Sequence, residues 1–128
     1  MDDRERFAKG LEVRRADLGE KHVNVSLEKS NSFTAEFQDL VTRYAWGEMW
    51  TRQGLPRHTR SLVTLAMLIA LDRGDEFRLH LRGALNNGAT RDQIKEFLLH
   101  AAVYCGVPAA NSAFRAAEEV FSEQDRSA

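Results

Sequence analysis

Two prolines and a set of spaced glycines punctuate this chain, and they constrain its fold more than any other feature. Pro56 and Pro108 are the only two prolines. Each stands where a helix would begin, because a fixed φ and a missing N–H cost nothing in the first helical turn. Gly54, Gly74, Gly88 and Gly106 fall between apolar runs, where helices stop. No stretch sustains the period-2 alternation of a half-buried strand. The pattern predicts an all-α chain.

The first helix is expected from Asp2 to about Arg15, with Phe7 and Leu11 four apart on one face. Gly19 opens a looser stretch, "GEKHVNVSLEKSNS", whose β-branched Val23 and Val25 favour local extension. A second helix begins near Ser32 or Thr34, carries Phe33, Phe37, Leu40, Val41 and Tyr44 as one apolar stripe, and runs through "AWGEMW" to stop by Gly54. The third contains "SLVTLAMLIAL", apolar on all sides, as suits a helix at the centre of a domain or in a subunit interface. Asp75 is placed to cap "EFRLHLRGALNN", which ends at Gly88. Thr90-Arg91-Asp92-Gln93 has the form of a capping box and opens "QIKEFLLHAAVYC". Pro108 starts the last helix, and "SEQDRSA" reads as a frayed end. With no repeat, linker or low-complexity segment, residues 1–128 are expected to form a single domain.

Composition excludes several classes of function. Eighteen basic against 19 acidic residues give a formal net charge of -1, which removes the electrostatic motive for a nucleic-acid binder. The charged start "MDDRERFAKG" has no signal-peptide h-region, and the nearly apolar run from Leu62 to Leu71 is about half of the ~20 residues a bilayer span needs. A cytoplasmic location without membrane attachment is the expectation. Cys105 is the single cysteine, so the chain forms no internal disulfide and has no C-x-x-C pair. It reads as a packing residue.

Motifs for phosphate and metal chemistry are missing. There is no G-x-G-x-x-G, and "GALNNGAT" lacks the Lys-Ser/Thr of a P-loop. No H-E-x-x-H occurs, and Glu76 with His80, one helical turn apart, cannot complete a metal site alone. No metal is expected. No serine sits in a nucleophile elbow.

The remaining signals are polar residues in apolar settings. Glu48 lies between Trp46 and Trp50. Either it faces solvent from a bend, or it lines an apolar pocket, where burial would raise its pKa and make it a proton carrier near neutrality. His80 falls on the flank of the stripe Phe77, Leu81, Ala84 and Leu85, as a site residue or as a core-edge histidine; His100, after Leu98-Leu99, reads as packing. In "RQGLPRHTR", Arg52, Arg57 and Arg60 cluster around a helix start, either a solvated basic turn or a place where N–H groups and the helix dipole favour an anion. Together these features point to a small acidic substrate.

The segments "HVNVS", "FTAEFQDLVTRYAWGEMWTRQGLPRHTRSLVTLAMLIAL" and "LHLRGALNNGATRDQIKEFLLHAAVYCGVPAANSAF" resemble the 4-carboxymuconolactone decarboxylases, from about Arg14 to Val120. The resemblance implies an alkylhydroperoxidase AhpD-like all-helical subunit that is an obligate homo-oligomer, trimeric or hexameric. The redox branch of that superfamily carries C-x-x-C-x-x-x-H on the corresponding helix. Here His80 is the histidine, while Arg73 and Glu76 occupy the cysteine positions, which excludes thiol peroxidase chemistry. The implied reaction is decarboxylation of a small dicarboxylate lactone without a cofactor. In that reading His80 and Glu48 handle charge and proton, Arg60 with Arg52 and Arg57 grips the retained carboxylate, and Trp46 walls the departing one. The alternatives are a non-catalytic oligomeric binder of an aromatic-acid metabolite and a related cofactor-free lyase or isomerase.

Overall fold

A computed structural model of the chain describes residues 1–127. Among these residues every regular element is helical: α1 (Asp3–Leu18), α2 (Glu20–Glu28), α3 (Ala35–Val41), a π-helical segment (Thr42–Met49) continuing α3, α4 (Arg57–Ala70), α5 (Gly74–Asn86), α6 (Arg91–Cys105) and α7 (Val107–Ser127). No helix among them is long and apolar enough to cross a membrane. Backbone contacts group the chain into two compact units, Met1–Arg57 and the part from His58 onward.

In the first unit, Asp2 caps α1 by accepting the Glu5 backbone N–H at 2.8 Å. The inner face of α1 is not the stripe through Phe7 and Leu11. Its buried residues are Gly10, Val13, Arg14, Asp17 and Leu18. The reason is the close approach of the π-helical segment. A Cβ on Gly10 would run into the Thr42 carbonyl oxygen, and one on Gly47 into that of Arg6. Backbone thus meets backbone, and no room is left for an apolar layer.

Gly19, at φ 91°, ends α1 in a conformation that only glycine adopts readily, and α2 begins at the next residue. The expected extension at Val23 and Val25 is overturned. In a strand both would share one face, whereas here Val23 is fully buried and Val25 is 39% exposed. Burial of Val23 outweighs the weak β preference of the segment. The Phe33, Phe37, Leu40, Tyr44 stripe exists but is not core: these residues are 93%, 61%, 49% and 65% exposed.

The second unit holds an apolar core built from α4 to α7. Leu65, Leu81, Ile94 and Leu98 are its largest fully buried side chains, and each contributes about 1.5–3 kcal/mol of burial. On α4, Ser61, Leu65 and Ile69 face inward at four-residue spacing, while Val63, Met67 and, just past the helix end, Leu71 are exposed. Small residues of α7, among them Ala113, Ala116 and Ala117, let it pack tightly on α5 and α6. The Thr90–Gln93 capping box is present in both directions, at 3.1 and 2.9 Å. Two boundaries differ from expectation. Arg73 rather than Asp75 precedes α5, after Asp72 turns the chain at φ 58°. The C-terminal segment is helical to Ser127 rather than frayed, tied down by Arg82 to Glu123 and Arg91 to Asp125.

Candidate active site

The segment "AWGEMW" owes its geometry to the π-helix. Trp50 donates its backbone N–H to the Ala45 carbonyl, five residues back, at 3.0 Å. Trp46 and Trp50 are consequently buried together, with ring centroids 5.0 Å apart and planes at 30°. Glu48 does not join them. Its side chain is 43% exposed, and its Oε2 accepts the Arg6 Nε–H at 2.8 Å. The Arg6 hydrogen bond and charge, helped by Arg52, hold the Glu48 carboxyl below its ordinary range against a smaller opposing effect of burial. The expectation that burial raises its pKa is therefore reversed: Glu48 is an ionised carboxylate.

Arg52 and Arg57 line one open cleft of about 530 Å³ in the first unit, with Lys9, Glu12 and the indole of Trp50. Its three cations and one carboxylate leave an excess of two positive charges, counted over Lys9, Arg52, Arg57 and Glu12. A lining of this kind favours an anion electrostatically.

Arg60 and His80 belong to the second unit. Arg60 lies in the first turn of α4, partly buried. His80 is partly buried beside the inward row Phe77, Leu81 and Ala84 of α5. Glu76, one turn before it, is ion-paired to Arg73 at 2.8 Å, and that pair keeps its carboxyl below the usual range. Arg73 and Glu76, at the positions of the redox branch's cysteines, are thus a surface ion pair. His100 is exposed and lies against the Tyr104 ring at 5.0 Å rather than in the core. Among the described residues no group of three or more histidine, cysteine or acidic side chains could hold a metal ion.

Sequence reasoning missed Arg6, Lys9 and Arg14. Arg14 is 6% exposed, donates to the Thr42 hydroxyl at 3.3 Å, and is desolvated enough to lower its pKa. The available signal was the four-residue spacing Arg6, Gly10, Arg14, which places a glycine between two arginines on one helix face.

The first unit carries a basic cleft and an oriented carboxylate, and the second a partly buried histidine. Residues 35–119 match the Carboxymuconolactone decarboxylase family, and the chain belongs to that family. It is 58% identical to a 4-carboxymuconolactone decarboxylase of Acinetobacter baylyi over 96% of this chain and 92% of the relative. It is 47% identical to a nitrosuccinic acid decarboxylase of Metarhizium robertsii over 80% of this chain and 71% of that protein. A 4-carboxymuconolactone decarboxylase sequence of Pseudomonas putida is 50% identical over its whole length, which spans 38% of this chain.

Proposed function

We propose that this protein is a carboxy-lyase that converts 4-carboxymuconolactone to 3-oxoadipate enol-lactone in the breakdown of protocatechuate. The observation that carries this reading is the 58% identity, over nearly the full length of both chains, to a protein of that name. The chemistry suits the residues. When the carboxylate leaves, its bonding pair passes through the ring double bond to the lactone carbonyl, CO2 departs, and the resulting dienolate takes a proton on the ring carbon. The substrate is its own electron sink, so the reaction asks for no cofactor.

In this reading Arg60, Arg52 and Arg57 hold the retained carboxylate, because a guanidinium fork matches it bidentately. Trp46 supplies an apolar wall for the departing one, since desolvation favours neutral CO2 over the anion. His80 and Glu48 handle charge and proton. An oxyanion donor supplies about 3–4 kcal/mol and general acid catalysis about 10²–10⁴-fold, enough in size for these roles.

The finer assignment is an AhpD-like subunit acting in the cytoplasm as a trimer or hexamer. Its support is the apolar surface a lone chain leaves in water: Phe33, Phe37 and Tyr44 in the first unit, and Met67, Leu71, Val103 and Tyr104 in the second, each more than half exposed. Mixing purified protein with the lactone and following its ultraviolet absorbance and released CO2 tests the activity. A non-catalytic binder would leave both unchanged. Nitrosuccinate, the acid named for the fungal relative, is the comparison substrate. Faster turnover of it than of the lactone would reassign the substrate.

A further inference from the structure

We infer that Arg6 is a positioning residue for the reaction, fixing Glu48 as an oriented carboxylate, so that Glu48 serves as a charge and hydrogen-bond acceptor and the proton comes from another group. This rests on the carboxy-lyase reading above. The geometry begins at the crossing of α1 with the π-helical segment. Arg6 stands one turn before Gly10, and Glu48 directly follows Gly47. Because these glycines let the backbones nearly touch, Arg6 reaches the carboxylate in one step, at 2.8 Å.

Arg6 is itself held. Its Nη1 donates to Asp3 at 3.3 Å, and Asp3 also meets Arg43 at 3.5 Å, which pairs with Asp39 at 2.7 Å. The charges alternate along Asp39, Arg43, Asp3, Arg6 and Glu48. The other charges acting on Glu48 are Arg52 and the amino terminus, both favouring the carboxylate. The Arg6 bond is made to Oε2, and a carboxylate has further lone pairs with which to accept from another donor.

An arginine keeps its charge at every working pH, so the pair persists through neutrality. A carboxylate in that state has no proton to give. The dianionic lactone loses CO2 to leave a dienolate dianion, and one proton from an imidazolium or water gives the product monoanion. Glu48 contributes its fixed charge and is unchanged by the turnover.

The experiment measures kcat against pH for the wild type, Arg6→Gln, Arg6→Lys and Glu48→Gln, alongside carbon NMR titration of labelled glutamate carboxyls. Removing an adjacent cation raises a carboxylate pKa by about 1–3 units. Arg6→Gln should therefore move the acidic limb of kcat up by about one pH unit and leave the basic limb in place. Arg6→Lys should restore most of the shift. A uniform fall in kcat with an unmoved limb, in folded protein, would make Arg6 merely structural and overturn the inference. Full activity of Glu48→Gln would overturn it too, by removing Glu48 from the reaction. If the lactone is not turned over at all, the carboxy-lyase reading fails, and the NMR titration still shows whether Arg6 sets the Glu48 charge. Should Arg6→Gln not fold, Asp3→Asn removes the carboxylate that competes for Arg6 and should move the same limb down, by a smaller amount; an upward shift would overturn the inference.

Discussion

Gly10 and Gly47 face one another where α1 crosses the π-helical segment, so closely that a Cβ on Gly10 would lie 2.7 Å from the Gly47 nitrogen. Neither position has space for a methyl group, and the atoms in the way are backbone, which cannot rotate aside. This contact determines where Arg6 and Glu48 meet and why Arg14 is buried against Thr42.

Gly47→Ala and Gly10→Ala should each destabilise the protein. Alanine gains about 1 kcal/mol of helix propensity over glycine, but overpacking against fixed backbone costs about 1–3 kcal/mol or more, so the clash wins. Thermal melts should show a drop of several degrees for both. Gly54→Ala, which has nothing within 4 Å of its Cβ, is the control and should melt within a degree or so of wild type, as a compatible surface change does.

Acid should weaken the fold in a window that the ion pairs define. Glu48, Glu76, Glu119 and Asp125 are each held below the ordinary carboxylate range, chiefly by hydrogen bonds from Arg6, Arg73, Arg78 and Arg91. Their folded pKa values lie under the unfolded ones, so the unfolded chain binds more protons in acid. The contribution is fully present above the unfolded pKa of about 4 and is lost as pH falls through the folded values. Melting temperature should stay nearly flat from pH 7 to 6 and fall below about pH 4.5. These pairs are exposed, so about 0.5 M salt should flatten part of the fall. A melting temperature that rises on acidification would contradict the pairing.

The second unit was largely legible in the sequence because its helices bury apolar residues with helical periodicity. Phe77, Leu81 and Ala84 follow the expected stripe, and the Thr90–Gln93 box caps α6 as its spacing requires. The first unit was not. Its main contact runs through Gly10, Arg14 and Gly47, which carry no hydrophobic signal, so the apolar pair Phe7 and Leu11 does not mark the most buried face. Glu48 stayed ambiguous for the same reason. Two flanking tryptophans suggested an apolar pocket, while the residue that decides its charge, Arg6, stands 42 positions away in sequence. Of the candidate site, the basic turn was visible: Arg52 and Arg57 do share a cleft. Its third cation, Lys9, sits on another helix.

Cys105 should prove dispensable. It is a partly buried residue at the edge of the second unit's core, at the end of α6. Cys105→Ser should leave decarboxylation within about twofold of wild type, since a small change at a half-buried site costs little. The protein should show no thiol-dependent peroxidase activity. Loss of turnover on alkylating the thiol, in protein that stays folded, would give this residue a role in the chemistry.

The apolar surface predicts that the chain assembles with copies of itself. Val63 and Met67 on α4 and Leu71 just past its end are 40%, 59% and 69% exposed. A charge at such a position in a packed interface is left unpaired and desolvated. Sedimentation of the wild type at micromolar concentration should show a trimer or hexamer, and Met67→Glu should shift it toward monomer. A wild-type protein that sediments as a stable, active monomer would remove the case for assembly.

Substitutions at the site should separate binding from chemistry. Arg60 and the cleft residues Arg52 and Arg57 are proposed to hold the carboxylate that stays on the product, an interaction equal in the ground and transition states. Loss of such an interaction raises KM and leaves kcat nearly alone. Each of Arg52→Ala, Arg57→Ala and Arg60→Ala should therefore raise KM, by about tenfold where a charge-assisted pair worth about 1.5 kcal/mol is lost. His80 is proposed to act on charge that develops only as CO2 leaves. His80→Ala should lower kcat and kcat/KM together, by about 10²–10⁴-fold, the range for a lost general acid. Steady-state kinetics on folded variants decides between them. If His80→Ala raises KM alone while an arginine variant loses kcat, the roles are exchanged and α5 supplies binding rather than chemistry.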